Sequence, residues 1–121
     1  MGKILLVDDD EDIRELVILR LEIAEHDIDF AVNGKVGFDI AMENNYDLIL
    51  MDMHMPVMDG YDAIQQLRRF GYEGKIVGLT ASAMMNETQK ALSSGCDDVI
   101  VKPITEDFEI RISQYIDSQY F

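Results

Sequence analysis

Tryptophan is absent, cysteine occurs once, proline occurs twice, and ten basic residues face twenty-four acidic ones. Each shortage excludes something. A lone Cys96 rules out an internal disulfide framework and suits a reducing compartment, with the residue itself read as small and buried. The formal charge of −14 opposes sequence-independent attraction to phosphate backbones or anionic lipid, so direct nucleic-acid binding is not expected. No apolar run approaches the roughly 20 residues that cross a bilayer, and Lys3 to Val7 leads straight into acid instead of a signal-peptide cleavage site. Membrane insertion is not expected, and a cytoplasmic location is. Apolar residues make up 48% of the 121, so the high charge does not signal disorder. That length fits one domain over residues 1–121.

The most informative stretch is Asp47 to Gly60, where Leu48, Ile49, Leu50 and Met51 run without alternation into Asp52. Such a run suits a strand covered on both faces, central in a parallel sheet. Pro56 removes a backbone donor and biases Met55 towards extended geometry, and Asp59-Gly60 signals a turn or helix start, so the strand stops near Asp52. In open α/β sheets the carboxyl ends of central strands are where ligands sit.

The rest of the chain repeats that pattern. Lys3 to Val7 reads as a strand, Asp8 to Asp12 as an acidic turn, and Ile13, Leu16, Val17 and Leu21 as a helix. Asp27 to Val32 is a more polar strand nearer an edge, followed by an Asn33-Gly34 turn and a helix carrying Val36, Phe38, Ile40 and Ala41. Ala63, Ile64 and Leu67 mark a third helix stopped by Gly71, and Lys75 to Leu79 a fourth strand ending at Thr80. Asn86 with Gln89 resembles a capping box, Leu92 is expected on the packed face, and Gly95 ends that helix. Asp98 to Val101 is a fifth strand closed by Lys102-Pro103, and Thr105 is expected to cap a last helix carrying Phe108, Ile112, Tyr115 and Ile116. Five strands alternating with five helices predict a doubly wound parallel sheet with helices on both faces.

Parallel strands would gather Asp8, Asp9, Asp52, Thr80 and Lys102 on one rim. Clustered carboxylates repel one another and would take up protons unless compensated, and Mg²⁺ is the natural partner because it takes few carboxylates and leaves room for a phosphoryl oxygen. Lys102 adds an ammonium and Thr80 a hydroxyl donor. This is the chemistry of a phosphoryl site.

Four segments carry a resemblance: Ile4-Leu5-Leu6-Val7-Asp8-Asp9-Asp10, Met51-Asp52-Met53-His54-Met55-Pro56-Val57-Met58-Asp59-Gly60, Leu79-Thr80-Ala81 and Val101-Lys102-Pro103-Ile104. In order, they resemble the response-regulator receiver domains of two-component signalling, over essentially the whole chain. The resemblance implies strand order 2-1-3-4-5, as in flavodoxin, and a phosphoacceptor, Asp52, that attacks the phosphorus of a phosphohistidine. Asp9, Asp52 and the backbone carbonyl of His54 would hold Mg²⁺, Asp8 would act largely through water, Lys102 would balance charge, and Thr80 would turn towards the attached group. The implied partner is a histidine kinase or histidine phosphotransfer protein, with the first helix and neighbouring loops as its docking side, where Leu19 and Ile23 extend the apolar face. Such a domain is not an enzyme towards external substrates and assists only its own phosphorylation and dephosphorylation. The oligomeric state is open, with a monomer the expectation. The family often has the Lys102-Pro103 peptide cis, and the wording around Met55 to Gly60 and Gly95 to Asp98 resembles receivers of hybrid histidine kinases.

One departure is Val99, where the family often carries Tyr or Phe that changes rotamer; a β-branched aliphatic has no ring to swing. That keeps a phosphorylation-independent interaction module in play. A haloacid-dehalogenase-type phosphatase would need a second acid where His54 stands, and a flavin carrier would want a neutral loop in place of Asp8 to Asp12. Met51, Met53, Met55 and Met58 around His54 read as adaptable packing, since hard carboxylates argue against soft-ligand copper. His54 is expected at the rim, and His26 in a polar helix end.

Overall fold

The five expected strands form one parallel sheet in the computed structural model, which describes residues 2–117. Strands β1 (Lys3–Val7), β2 (Asp27–Ala31), β3 (Leu48–Asp52), β4 (Ile76–Thr80) and β5 (Asp98–Val101) alternate with α1 (Glu11–Ile23), α2 (Gly34–Glu43), α3 (Gly60–Arg69), α4 (Met85–Ser94) and α5 (Phe108–Asp117). They pair in the order β2-β1-β3-β4-β5, the order the resemblance implied. Ile4 to Val7 lie opposite Leu48 to Met51, so β1 and β3 end side by side and Asp8 follows next to Asp52.

Side-chain alternation divides the core in two. Ile4, Leu6, Leu48 and Leu50 pack with Val17 and Leu21 of α1 and Phe108 and Ile112 of α5. Leu5, Val7, Ile49 and Met51 pack on the other face with Ala41, Ala63, Ile64, Leu67 and Ala91 of α2, α3 and α4. Both faces of β3 are therefore covered, which explains its unbroken apolar run. Cys96 is buried in the second cluster, as expected, and Met53 and Met55 pack beneath the loop after β3.

Several local expectations need correction. Met84, not Asn86, precedes the first residue of α4; Asn86 lies within the first turn, its side chain accepting only the neighbouring Glu87 N–H. Leu92 is 43% exposed because Ala91 and Ser94 face the sheet instead. The helix expected to follow Thr105 directly starts at Phe108, whose N–H donates to the Thr105 carbonyl. Leu16, placed on the packed stripe of α1, is exposed. His26 is buried just before β2, with Nδ1 accepting the Gly2 N–H and burial lowering its pKa.

Candidate functional site

The carboxyl ends of β1, β3, β4 and β5 form the rim. Asp8 is fully buried and locked on all sides. Its N–H donates to the Ala31 carbonyl at 3.1 Å and its Oδ1 accepts the Asp10 N–H at 2.9 Å. Its carbonyl accepts Nη1 of Arg14 at 3.0 Å. Asp10 turns outward and caps α1, accepting from Asp12 and Ile13 N–H groups, so the acidic turn divides between helix start and site. Asp9 is left exposed at the rim.

Asp52 ends β3 and is buried beside Asp8. Lys102 Nζ lies between the two, 3.2 Å from Asp8 Oδ2 and 3.5 Å from Asp52 Oδ1. The His54 N–H also donates to Asp52 Oδ1, at 3.2 Å. Burial and the Asp8 charge nevertheless push the Asp52 pKa up to about 6, against the His54 N–H and Lys102, which lower it. Oxygens of Asp8, Asp9 and Asp52 lie within 4.8 Å of one another. One ammonium does not balance three carboxylates, and an all-oxygen, negatively charged donor set of this kind fits a hard divalent cation such as Mg²⁺.

The loop after Asp52 is held closely. The Gly60 N–H returns to the Met53 carbonyl at 3.1 Å, and a Cβ at Gly60 would stand 2.3 Å from the Asp52 carbonyl oxygen, so only glycine permits the approach. Between them, Val57 has φ 73° while Met58 N–H donates to the Pro56 carbonyl, a strained conformation for a β-branched residue. The Lys102-Pro103 peptide is cis. Thr80 is buried at the end of β4, its Oγ1 accepting the Ser82 N–H at 3.2 Å.

The structure thus gathers Asp8, Asp9, Asp52 and Lys102 and sets Thr80 at the neighbouring strand end. The His54 imidazole points elsewhere: it is exposed, edge to face with Tyr61 and 3.8 Å from Glu87. Two contributors were missed. Arg14 offered only a charge two residues beyond Asp12, and Tyr61 only an aromatic directly after the Asp59-Gly60 turn.

A model of the response regulator receiver domain family matches residues 4–112. The chain belongs to that family. The transcriptional regulatory protein SrrA of Staphylococcus aureus is 40% identical over 104 residues, which are 86% of this chain and 43% of SrrA. This receiver domain therefore spans less than half the length of that relative. The receiver domain of sensor histidine kinase PA1611 from Pseudomonas aeruginosa, a structure with magnesium coordinated in its active-site cleft, is 31% identical with a TM-score of 0.88, covering 97% of this chain and 98% of its own. TrrA of Thermotoga maritima, solved with Mg²⁺ and BeF, is 28% identical with a TM-score of 0.84, over 95% and 99%. The chain is thus a receiver of two-component signalling, a family in which Mg²⁺-dependent phosphoryl acceptance is typical.

Proposed function

We propose that Asp52 accepts a phosphoryl group from a phosphohistidine on a histidine kinase or histidine phosphotransfer protein. The observation that carries this reading is the buried Asp52 carboxylate at the end of the central strand, sharing one ammonium, Lys102, with buried Asp8. Asp8, Asp9, Asp52 and the backbone carbonyl of His54 would hold Mg²⁺, which when bound supplies the positive charge that offsets the carboxylates and the phosphoryl oxygens.

Asp52 acts in its ionised form: a carboxylate oxygen forms the bond to phosphorus as the bond from phosphorus to the donor imidazole breaks, and the imidazole leaves with the bonding pair and takes up a proton. The His54 N–H and Lys102 fix the orientation of the attacking carboxylate before the donor arrives. Lys102 then faces the transferred group, and the Thr80 hydroxyl supplies a donor to its oxygens. Turnover is confined to the chain's own acyl phosphate.

The donor's docking side follows from the exposed stripe on α1. Leu19 and Ile23 are 57% and 74% exposed, and Leu16 continues them into an apolar groove of about 350 Å³ lined by Ile13, Leu16, Ala81, Lys102, Pro103 and Ile104. A helix of the donor laid along that stripe would bring its histidine to the rim.

Intact mass after exposure to acetyl phosphate, with and without Mg²⁺, tests the assignment. A single metal-dependent phosphoryl adduct on the wild type, lost in Asp52→Asn, is expected. An adduct that survives Asp52→Asn would move the acceptor elsewhere, and none from either acetyl phosphate or a phosphohistidine donor would favour a phosphorylation-independent module.

A further inference from the structure

Asp9 is the exposed member of the acidic triad, and among the described residues its side chain makes no hydrogen bond or ion pair. Its direction is therefore set by the two peptide planes that flank it. The plane after it is fixed by the Asp10 N–H, which donates to Asp8 Oδ1 at 2.9 Å. The plane before it is fixed by the Asp8 carbonyl, which accepts Nη1 of Arg14 at 3.0 Å. Because a peptide unit is planar, holding that carbonyl also holds the Asp9 N–H and Cα.

Arg14 is not placed by charge. The chain carries 24 acidic residues, and Arg20, Arg68 and Arg111 each pair with one, yet among the described residues Arg14 forms no ion pair. Its guanidinium lies instead against the Phe30 ring of the edge strand β2, with Cζ 5.4 Å from the centroid. Phe30 is half exposed, and the next residue, Ala31, accepts the Asp8 N–H at 3.1 Å. Consecutive residues of β2 thus hold both sides of the Asp8 backbone, Ala31 directly and Phe30 through Arg14. A guanidinium stacks on an aromatic face and keeps its donors in a rigid fork, so its bond to the carbonyl is directional where that of an ammonium is not.

We propose that Arg14 is a positioning residue of the metal site: seated on Phe30, it fixes the Asp8–Asp9 peptide so that the Asp9 carboxylate meets a small octahedral cation. The inference rests on the reading of Asp8, Asp9 and Asp52 as ligands of Mg²⁺. Arg14 pairs with none of those carboxylates and acts through the backbone alone. Its charge works against this role, because a cation beside the triad repels Mg²⁺. Positioning and charge therefore have opposite consequences when Arg14 is removed. They also differ between ions. Mg²⁺ demands near-ideal octahedral geometry, whereas Ca²⁺ accepts oxygens in flexible arrangements. A misplaced Asp9 weakens Mg²⁺ more than Ca²⁺, while a changed charge moves both divalent ions together.

Titration calorimetry of the full chain with Mg²⁺ and, separately, Ca²⁺ tests this on wild type, Arg14→Met, Arg14→Lys and Phe30→Leu, with a urea unfolding curve for each to show that it is folded. Arg14→Met keeps much of the stem but neither donor nor charge. Its Mg²⁺ affinity should fall about tenfold, the loss typical of removing a group that orients a metal ligand. Its Ca²⁺ affinity should fall less than about threefold. Arg14→Lys keeps the charge and trades the fork for one flexible donor, and should lie between Arg14→Met and wild type. Phe30→Leu leaves the charge and every ligand in place but removes the ring under the guanidinium, and should weaken Mg²⁺ about twofold. An Arg14→Met chain that binds Mg²⁺ as tightly as wild type or more tightly, or that loses both ions in equal proportion, overturns the positioning role and leaves the metal site intact. Should Arg14→Met not fold, Phe30→Leu decides, and an Mg²⁺ affinity equal to that of wild type overturns the role. A wild type that binds neither ion removes the metal-site reading and the positioning role together, while the acetyl phosphate adduct, read by mass, reports on Asp52 separately.

Discussion

Helices α3 and α4 are each ten residues long and pack against each other on one face of the sheet, yet they begin in opposite ways. At α3, Asp59 caps the Asp62 N–H, Gly60 lies against the backbone of Asp52 and Met53, and Tyr61, Ala63, Ile64 and Leu67 are buried. At α4, the cap is a methionine without a side-chain hydrogen bond, and the first turn is exposed. The difference teaches that one rim holds a fixed side and a loose side. Residues that must not move are tied to α3; those free to respond are gathered at α4.

The sharpest break of that contrast is Gly60→Ala. Its Cβ would meet backbone at 2.3 Å and 2.6 Å, atoms that cannot swing aside, so the fixed side itself must shift. A loss of about 3 kcal/mol or more in urea unfolding is expected. Next in size is Asp52→Asn in EDTA. The folded pKa of about 6 lies above the ordinary carboxylate value, so the proton is held more tightly in the folded state. Stability from this group is fully present below about pH 4 and lost as pH rises through about 6. At pH 7 the variant should therefore be more stable than wild type by roughly 2 kcal/mol, with the advantage vanishing near pH 4. Thermal melts across that range check both limits, and added Mg²⁺ should shrink the advantage at pH 7.

The loose side can be tightened instead. Met84 has the extended backbone of a cap residue, φ −67° and ψ 138°, so Met84→Ser should add ~1 kcal/mol and slow exchange in the first turn of α4. Smallest of all, Lys35→Ala removes an exposed pair with Asp39 four residues along α2, and should cost at most ~0.5 kcal/mol. A larger loss would show that charge on the outer helices contributes more than their exposure allows.

The contrast also explains what could be read from the chain. Apolar runs such as Leu48 to Met51 are long, bounded and covered on both faces, so strands and helices were legible, while the sheet order came from the family resemblance. So was the meeting of Asp8, Asp9, Asp52 and Lys102, because strand ends in a parallel sheet share a rim. What escaped lies where local chemistry leaves a choice. Ser82, Met84 and Asn86 all sit near the start of α4, and packing of Ala91 and Ser94 on the sheet, not side-chain capping preference, decides which residue begins it. The same rotation turns Leu92 to solvent. The Arg14 bond to the Asp8 carbonyl and the Tyr61 bond to Glu87 join residues whose relation depends on how helices lie on the sheet, which no spacing encodes.

The paired register of β1 and β3 bears on how this chain can change its length. Successive residues of β1 feed opposite core layers, Ile4 and Leu6 to one and Leu5 and Val7 to the other. Deleting a single residue there would exchange the two layers and draw Asp8 back from Asp52 by one strand step, roughly 3.3 Å. The carboxyl-end rim therefore admits sequence change only by substitution. At the opposite end of the strands, the turn between α3 and β4 exposes Gly71 and Glu73 while Tyr72 packs against one core layer and Arg68 holds the Tyr72 and Gly74 carbonyls, so insertion has room only beside the exposed pair.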